Sequence, residues 1–169
     1  MHLVSATLFL LLGTAPQQQE PNEHLKPLAW LEGSWVGTGK YGQTEMEDRI
    51  TYELTHNGNF LKFKAVASMG GKVVQSGTGM LGYDKAKKRL VMHSYFTSGE
   101  IGMSESLNTK AMNTWHFAVR IGDQRPWNDA RSIMKKVDED THTYVTQMKK
   151  DGEFVTFYDA TYKREKNGK

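Results

Sequence analysis

The 169-residue chain contains no cysteine. Disulfide staples, thiol nucleophiles, iron–sulfur ligation, cysteine-based zinc sites and lipid attachment through an N-terminal cysteine are therefore all excluded. Charge of one sign is not concentrated either. Twenty-two basic residues stand against 19 acidic ones, for a formal charge of +3, and they are scattered, with no basic stripe of the kind that tracks phosphates. Nucleic acid is not an expected partner. Long apolar runs are missing too: the longest, Leu8-Phe9-Leu10-Leu11-Leu12, is too short to cross a bilayer, so no membrane span is expected in the mature chain. What remains is 38% hydrophobic, 11% aromatic and 24% charged. That is ordinary globular composition, at a length that suits one domain with one core.

The residues before Pro16 carry no charge other than a protonated His2, and their apolar run leads into Gly13-Thr14-Ala15. An apolar core followed by small residues reads as a signal peptide, cut after Ala15 or a little later among Gln17-Gln18-Gln19. The expectation is a leader and polar spacer over 1–19, a single domain over 20–169, and export to the periplasm or the medium.

Leu25, Leu28 and Leu31 then fall at helical spacing, with Asn22 placed to cap and Gly33 to stop a short helix over His24 to Leu31. Beyond Gly33 the period becomes two. Between Thr44 and Thr55, Met46, Ile50, Tyr52 and Leu54 share one face and Glu45, Glu47, Arg49, Thr51 and Glu53 the other, the pattern of a half-buried strand. His56-Asn57-Gly58-Asn59 is a turn that accepts positive φ. The same grammar repeats to Arg164, giving ten strands in consecutive hairpins, with longer connections over 108–113 and 122–128. The meander order predicts an all-β, antiparallel, up-and-down barrel of about ten strands behind a short N-terminal helix, because closure leaves no unpaired edge.

The first strand opens with Trp30-Leu31-Glu32-Gly33-Ser34-Trp35-Val36-Gly37-Thr38-Gly39, the middle holds Gly82-Tyr83-Asp84, and the last strand ends in Tyr158-Asp159-Ala160-Thr161-Tyr162-Lys163-Arg164. This resembles the calycin barrels, lipocalin-like and nitrobindin-like, and more closely a bacterial calycin-like domain family of unknown function, over Glu23 to Arg164. The resemblance implies that Trp35 plugs one end of the barrel with Arg164 packed on its indole, a cation–π contact. The nitrobindins share the Gly-x-Trp-x-Gly-x-Gly opening and bind haem through a histidine of the final strand. Here that position falls near Phe157, and no histidine follows His142. The resemblance thus implies the fold without the ligand. No cofactor is expected, and haem is disfavoured: Tyr158 could ligate ferric iron as a tyrosine does in catalase, but a strand tyrosine is expected to pack.

Three motifs dissolve in context. Gly77-Thr78-Gly79-Met80-Leu81-Gly82 matches a dinucleotide fingerprint, but no helix N-terminus follows to hold a pyrophosphate, so the glycines are expected to let a barrel strand bend. Ser132-Ile133-Met134-Lys135 matches Ser-x-x-Lys, but a strand points the two side chains to opposite faces. No pair among the six histidines shows the spacing of two metal ligands on one face, and His116 is expected to face outward beside Trp115, Phe117, Val119 and Ile121.

The apolar inventory is more informative. Met46, Met80, Met92, Met103, Met134 and Met148 all fall in predicted strands, and methionine adapts to variable apolar partners. The expected ligand-contacting set is Asp48, Tyr52, Phe63, Met80, Met92, His93, Trp115, Phe117, Tyr144 and Tyr158, although a one-residue slip would invert it. Asp48 reads either as an orienting contact in an apolar pocket or as a residue at the wet end of its strand; the cost of burying a carboxylate favours the second. The expected function is an exported barrel binding a small apolar or amphipathic molecule, with no defined catalysis. Two alternatives stand beside it. One is an enzyme, haem-dependent or working at the barrel mouth, which requires His93, Asp48 and a tyrosine to cluster. The other is a structural or interaction module whose side chains fill its own core.

Overall fold

The computed structural model describes residues 20–107, 113–121 and 129–166. The signal-peptide reading and the connections at 108–112 and 122–128 lie outside them.

All ten expected strands form: β1 (Gly33–Tyr41), β2 (Thr44–Thr55), β3 (Phe60–Met69), β4 (Lys72–Asp84), β5 (Arg89–Phe96), β6 (Ile101–Ser106), β7 (Thr114–Ile121), β8 (Ala130–Asp138), β9 (Thr141–Lys150) and β10 (Glu153–Arg164). Each pairs antiparallel with its neighbour in sequence, and β1 also pairs with β10, so the sheet closes and leaves no edge. The tight turns fall where the sequence provides residues for positive φ: His56, Asn57 and Gly58 between β2 and β3, Gly70-Gly71 between β3 and β4, Asp151-Gly152 between β9 and β10.

The expected short α-helix is corrected. Lys26–Leu31 is a single 3₁₀ segment, and Leu25, its capping residue, makes no side-chain capping bond. Pro27 in its first turn brings no backbone donor, and six residues cannot build a cooperative α-helix. Asn22 still acts locally. Its side-chain oxygen accepts from the His24 N–H at 3.0 Å, and its carbonyl accepts from Leu25 and Lys26. The segment buries Leu25, Leu28 and Leu31 across one end of the barrel, against Leu54, Leu61, Leu81, Phe117 and Met134. That end is closed. The opposite mouth is framed by the β1–β2, β3–β4, β5–β6 and β9–β10 turns.

Register fixes which residues face inward. Leu54, Leu61, Leu81, Met92, Ser104 and Val119 are successive cross-strand partners in one line around the wall. A bulge in β10 re-aims the last strand: Thr156 pairs with outward Gln147, yet Tyr158 pairs with inward Thr146, so the extra residue, Phe157, switches the face. Without it, Tyr158, Ala160 and Tyr162 would point to solvent.

The glycines of the accidental fingerprint seat aromatic rings. A Cβ at Gly79 would stand 2.2 Å from the His93 carbonyl oxygen and 2.5 Å from the Phe63 ring, and one at Gly82 2.5 Å from Phe60. Gly79→Ala is expected to cost about 1–3 kcal/mol through this overpacking. Urea melts measure it, and a loss under about 0.5 kcal/mol, within the range of an ordinary surface substitution, would show that the ring does not need the seat.

Candidate functional site

Among the described residues, the inward face of the strands holds one carboxylate, within a cluster of phenols. Asp48 lies in β2 between Gly37 of β1 and Ala67 of β3, and is 9% exposed. Tyr162 donates to its Oδ2 at 2.6 Å and Tyr158 to the same oxygen at 3.2 Å, with the two phenol oxygens 2.7 Å apart. Gly37 makes this reach available. A Cβ there would lie 2.5 Å from the Tyr162 ring, so its absence lets the phenol lie across β1 toward Asp48. Among the described residues nothing donates to Oδ1, and no cation pairs with the carboxylate. Yet Oδ1 is not a sealed atom, since the sealed polar atoms without a partner are Trp30 Nε1 and His142 Nδ1.

Burial pushes the Asp48 carboxyl above the usual carboxylate range, opposed by its bonds from Tyr162 and Tyr158. Desolvation likewise raises Tyr52, Tyr144, Tyr158 and Tyr162, and the Asp48 charge adds to all four. These phenols stay protonated at neutral pH, and Tyr158 and Tyr162 use their protons as donors to Asp48. They also lie near enough to Asp48 to feel its charge.

Around them the wall is small and hydroxylated, through buried Ser94, Ser104, Ser132 and Thr146. In a closed sheet, surface left accessible on an inward side chain faces the interior or its mouth. Tyr52, Phe63, Ala65, Met92 and Tyr144 are half-buried on inward rows, so part of their surface is left uncovered by neighbouring side chains. A separate groove of about 410 Å³ lies over the β1–β10 seam. It opens on the outside of the wall, where Thr38, Lys40, Asp159 and Thr161 belong to outward rows, and holds none of this cluster.

The structure places Asp48, Tyr52, Phe63, Met92, Trp115, Phe117, Tyr144 and Tyr158 on the inward face. Two expected residues are corrected. Met80 and His93 are cross-strand partners on the outer face, Met80 at 38% exposure, because Leu81 and Met92 pair inward and alternation turns their neighbours out. His93 therefore cannot join Asp48 and a tyrosine, and the set required by the enzyme alternative is not assembled. Trp115 and Phe117 pack nearer the closed end, against Trp30 and within the leucine core. The wet-end reading of Asp48 also falls, since the residue is buried.

Tyr162 and His142 were not anticipated. Both signals were present: Tyr162 lies four residues beyond Tyr158, and His142 two before Tyr144, on the same alternating rows. His142, 1% exposed, stacks on Tyr162 at 4.6 Å between ring centroids and meets the rings of Trp35 and Trp30 at 4.6 and 5.4 Å. At the same end the Arg164 guanidinium sits 4.2 Å from the Trp35 centroid and donates to the carbonyls of Glu32 and Trp30.

Haem does not fit these residues. The position assigned by the resemblance falls at Phe157, whose ring has no lone pair and packs against Tyr41. The inward histidine is boxed in by three aromatic rings, and Tyr158 is engaged with Asp48 and Tyr162. Among the described residues no three histidine, aspartate or glutamate side chains group to hold a metal ion.

No family model and no curated protein matches the chain. Among solved structures it is similar to Rv2717c from M. tuberculosis, with a TM-score of 0.64 and 19% identity over 87% of this chain and 100% of that one. At that identity the likeness shows the fold alone: this chain is a closed ten-stranded antiparallel barrel of the same architecture.

Proposed function

We propose that the barrel binds a small amphipathic molecule in its interior. One observation carries this reading: half-buried aromatic and apolar side chains on inward rows border a buried carboxylate that has an unclaimed oxygen. Ligand sites are concave, mostly apolar, and carry a few convergent polar groups. The mouth opposite the capped end is where such a molecule would enter. A calycin-like assignment belongs to the same proposal, supported by the Trp35–Arg164 contact and the closed ten-strand topology. So does export, supported by the apolar leader.

Fluorescence titration with N-phenyl-1-naphthylamine, a neutral apolar probe, tests it. Saturable 1:1 binding in the micromolar range is expected, lost by about tenfold or more in Ala65→Phe, where an inward ring would occupy the open core. No saturable binding would favour the module with a filled core.

A further inference from the structure

The polar end of that ligand can be read from what faces it. Resting on the binding reading above, we infer that the interior takes a molecule with a positively charged amine, seated against Asp48 Oδ1 and among the Tyr52, Tyr144 and Tyr158 rings.

Asp48 is one carboxylate without a countercharge. Oδ2 is held by two phenols, while Oδ1 has no donor among the described residues. The cations on inward rows, Lys136 and Arg164, stand at the closed end and are committed elsewhere. Lys136 pairs with Glu139 and lies over Trp30, and Arg164 is held by Trp35, Asp140 and backbone carbonyls. An anionic head would thus meet a carboxylate and, among the described residues, no cation beside it. An alcohol would give Oδ1 a hydrogen bond and leave its charge without a counterion. An ammonium gives it the hydrogen bond and the countercharge together, and adds attraction to the aromatic faces. Those faces are present: Tyr144 and Tyr158 lie 6.2 Å apart at an interplanar angle of 56°, and Tyr52 and Phe63 6.2 Å apart at 48°. Phenols that donate to Oδ2 also hold the carboxylate in one orientation before any ligand arrives, so less ordering remains for binding.

The test compares three chain-matched probes, dodecylammonium, dodecanol and dodecanoate, by displacement of the naphthylamine from the full mature chain. The expected order is ammonium tighter than alcohol by about tenfold or more, and alcohol tighter than carboxylate. In Asp48→Asn the amide oxygen still accepts from both phenols, so the barrel folds; the ammonium should lose its advantage over dodecanol. Tyr52→Leu, which leaves the carboxylate bonds intact, should weaken the ammonium more than the alcohol. Equal affinities, tighter dodecanoate, or a preference that survives in Asp48→Asn would overturn the amine inference and leave interior binding standing. If the naphthylamine itself does not bind, both readings fall.

Discussion

Trp35→Ala is expected to cost about 3–5 kcal/mol, the range for emptying the place of a large aromatic side chain. Trp35 has no exposed surface and stands where four parts of the chain meet. Its Nε1 donates to the Leu31 carbonyl at 2.7 Å, fixing the 3₁₀ segment to β1. Its ring meets Trp30 edge-on at 5.7 Å and His142 at 4.6 Å, and carries the Arg164 guanidinium at 4.2 Å. Alanine would leave a void under a segment held mainly by its leucines, and would leave the Leu31 carbonyl without its donor. Arg164→Met keeps much of the aliphatic stem and removes the charge and its donors. The Glu32 and Trp30 carbonyls then lose a partner, at about 1–3 kcal/mol for each acceptor left buried and unpaired. A double-mutant cycle of the two changes in urea isolates the contact between them, expected at about 0.5–2 kcal/mol of coupling. Strict additivity would mean that Arg164 acts on the carbonyls alone. A Trp35→Ala loss below about 1 kcal/mol would mean that the barrel end is closed by the leucines without the indole.

The wall of the barrel was legible because its signals are local. Alternation between Thr44 and Thr55, the Asn57-Gly58 and Gly70-Gly71 turns and the unbroken meander each follow from a few neighbouring residues, and all agree. The 3₁₀ segment is not legible from spacing, because Leu25, Leu28 and Leu31 suit a 3.0-residue turn as well as a 3.6-residue one, and Pro27 decides between them. The interior was legible only where one face was plainly apolar. In β5 the row Leu90, Met92, Ser94, Phe96 competes with Val91, His93, Tyr95. No local rule picks between them, and the pairing of Leu81 with Met92 across the sheet decides. The Asp48–Tyr158–Tyr162 cluster spans 114 residues of sequence between Asp48 and Tyr162. It depends on a bulge at Phe157 and on the missing Cβ of Gly37, features that gain meaning only once β1 and β10 close the sheet.

That closure also gives the protein an expected weakness in acid. His142 sits under Trp30 and Trp35 with its Nδ1 sealed and unpartnered, and burial, with the Arg164 charge adding, pushes its pKa down to about 4. In the unfolded chain the same ring titrates near 6.5. As the pH falls from about 6.5 to about 4 the unfolded chain takes up a proton that the folded one refuses, so stability is lost across that window and this group adds no further change below it. The size follows from the shift, about 3 kcal/mol between the two ends. Asp48 works the other way. Its raised folded value means that the folded state binds its proton first, so that group contributes stability at low pH that is lost as the pH rises through its folded value, and it offsets part of the histidine effect. His142→Phe separates the two, since phenylalanine keeps the stack on Tyr162 and the edge against Trp35 without a titrating nitrogen. Urea midpoints at closely spaced pH values should show the parent losing stability relative to His142→Phe from about pH 6.5 to pH 4, and running parallel to it above that window. Parallel curves throughout would mean that His142 protonates without leaving its place, and that the aromatic box around it opens to water before the barrel does.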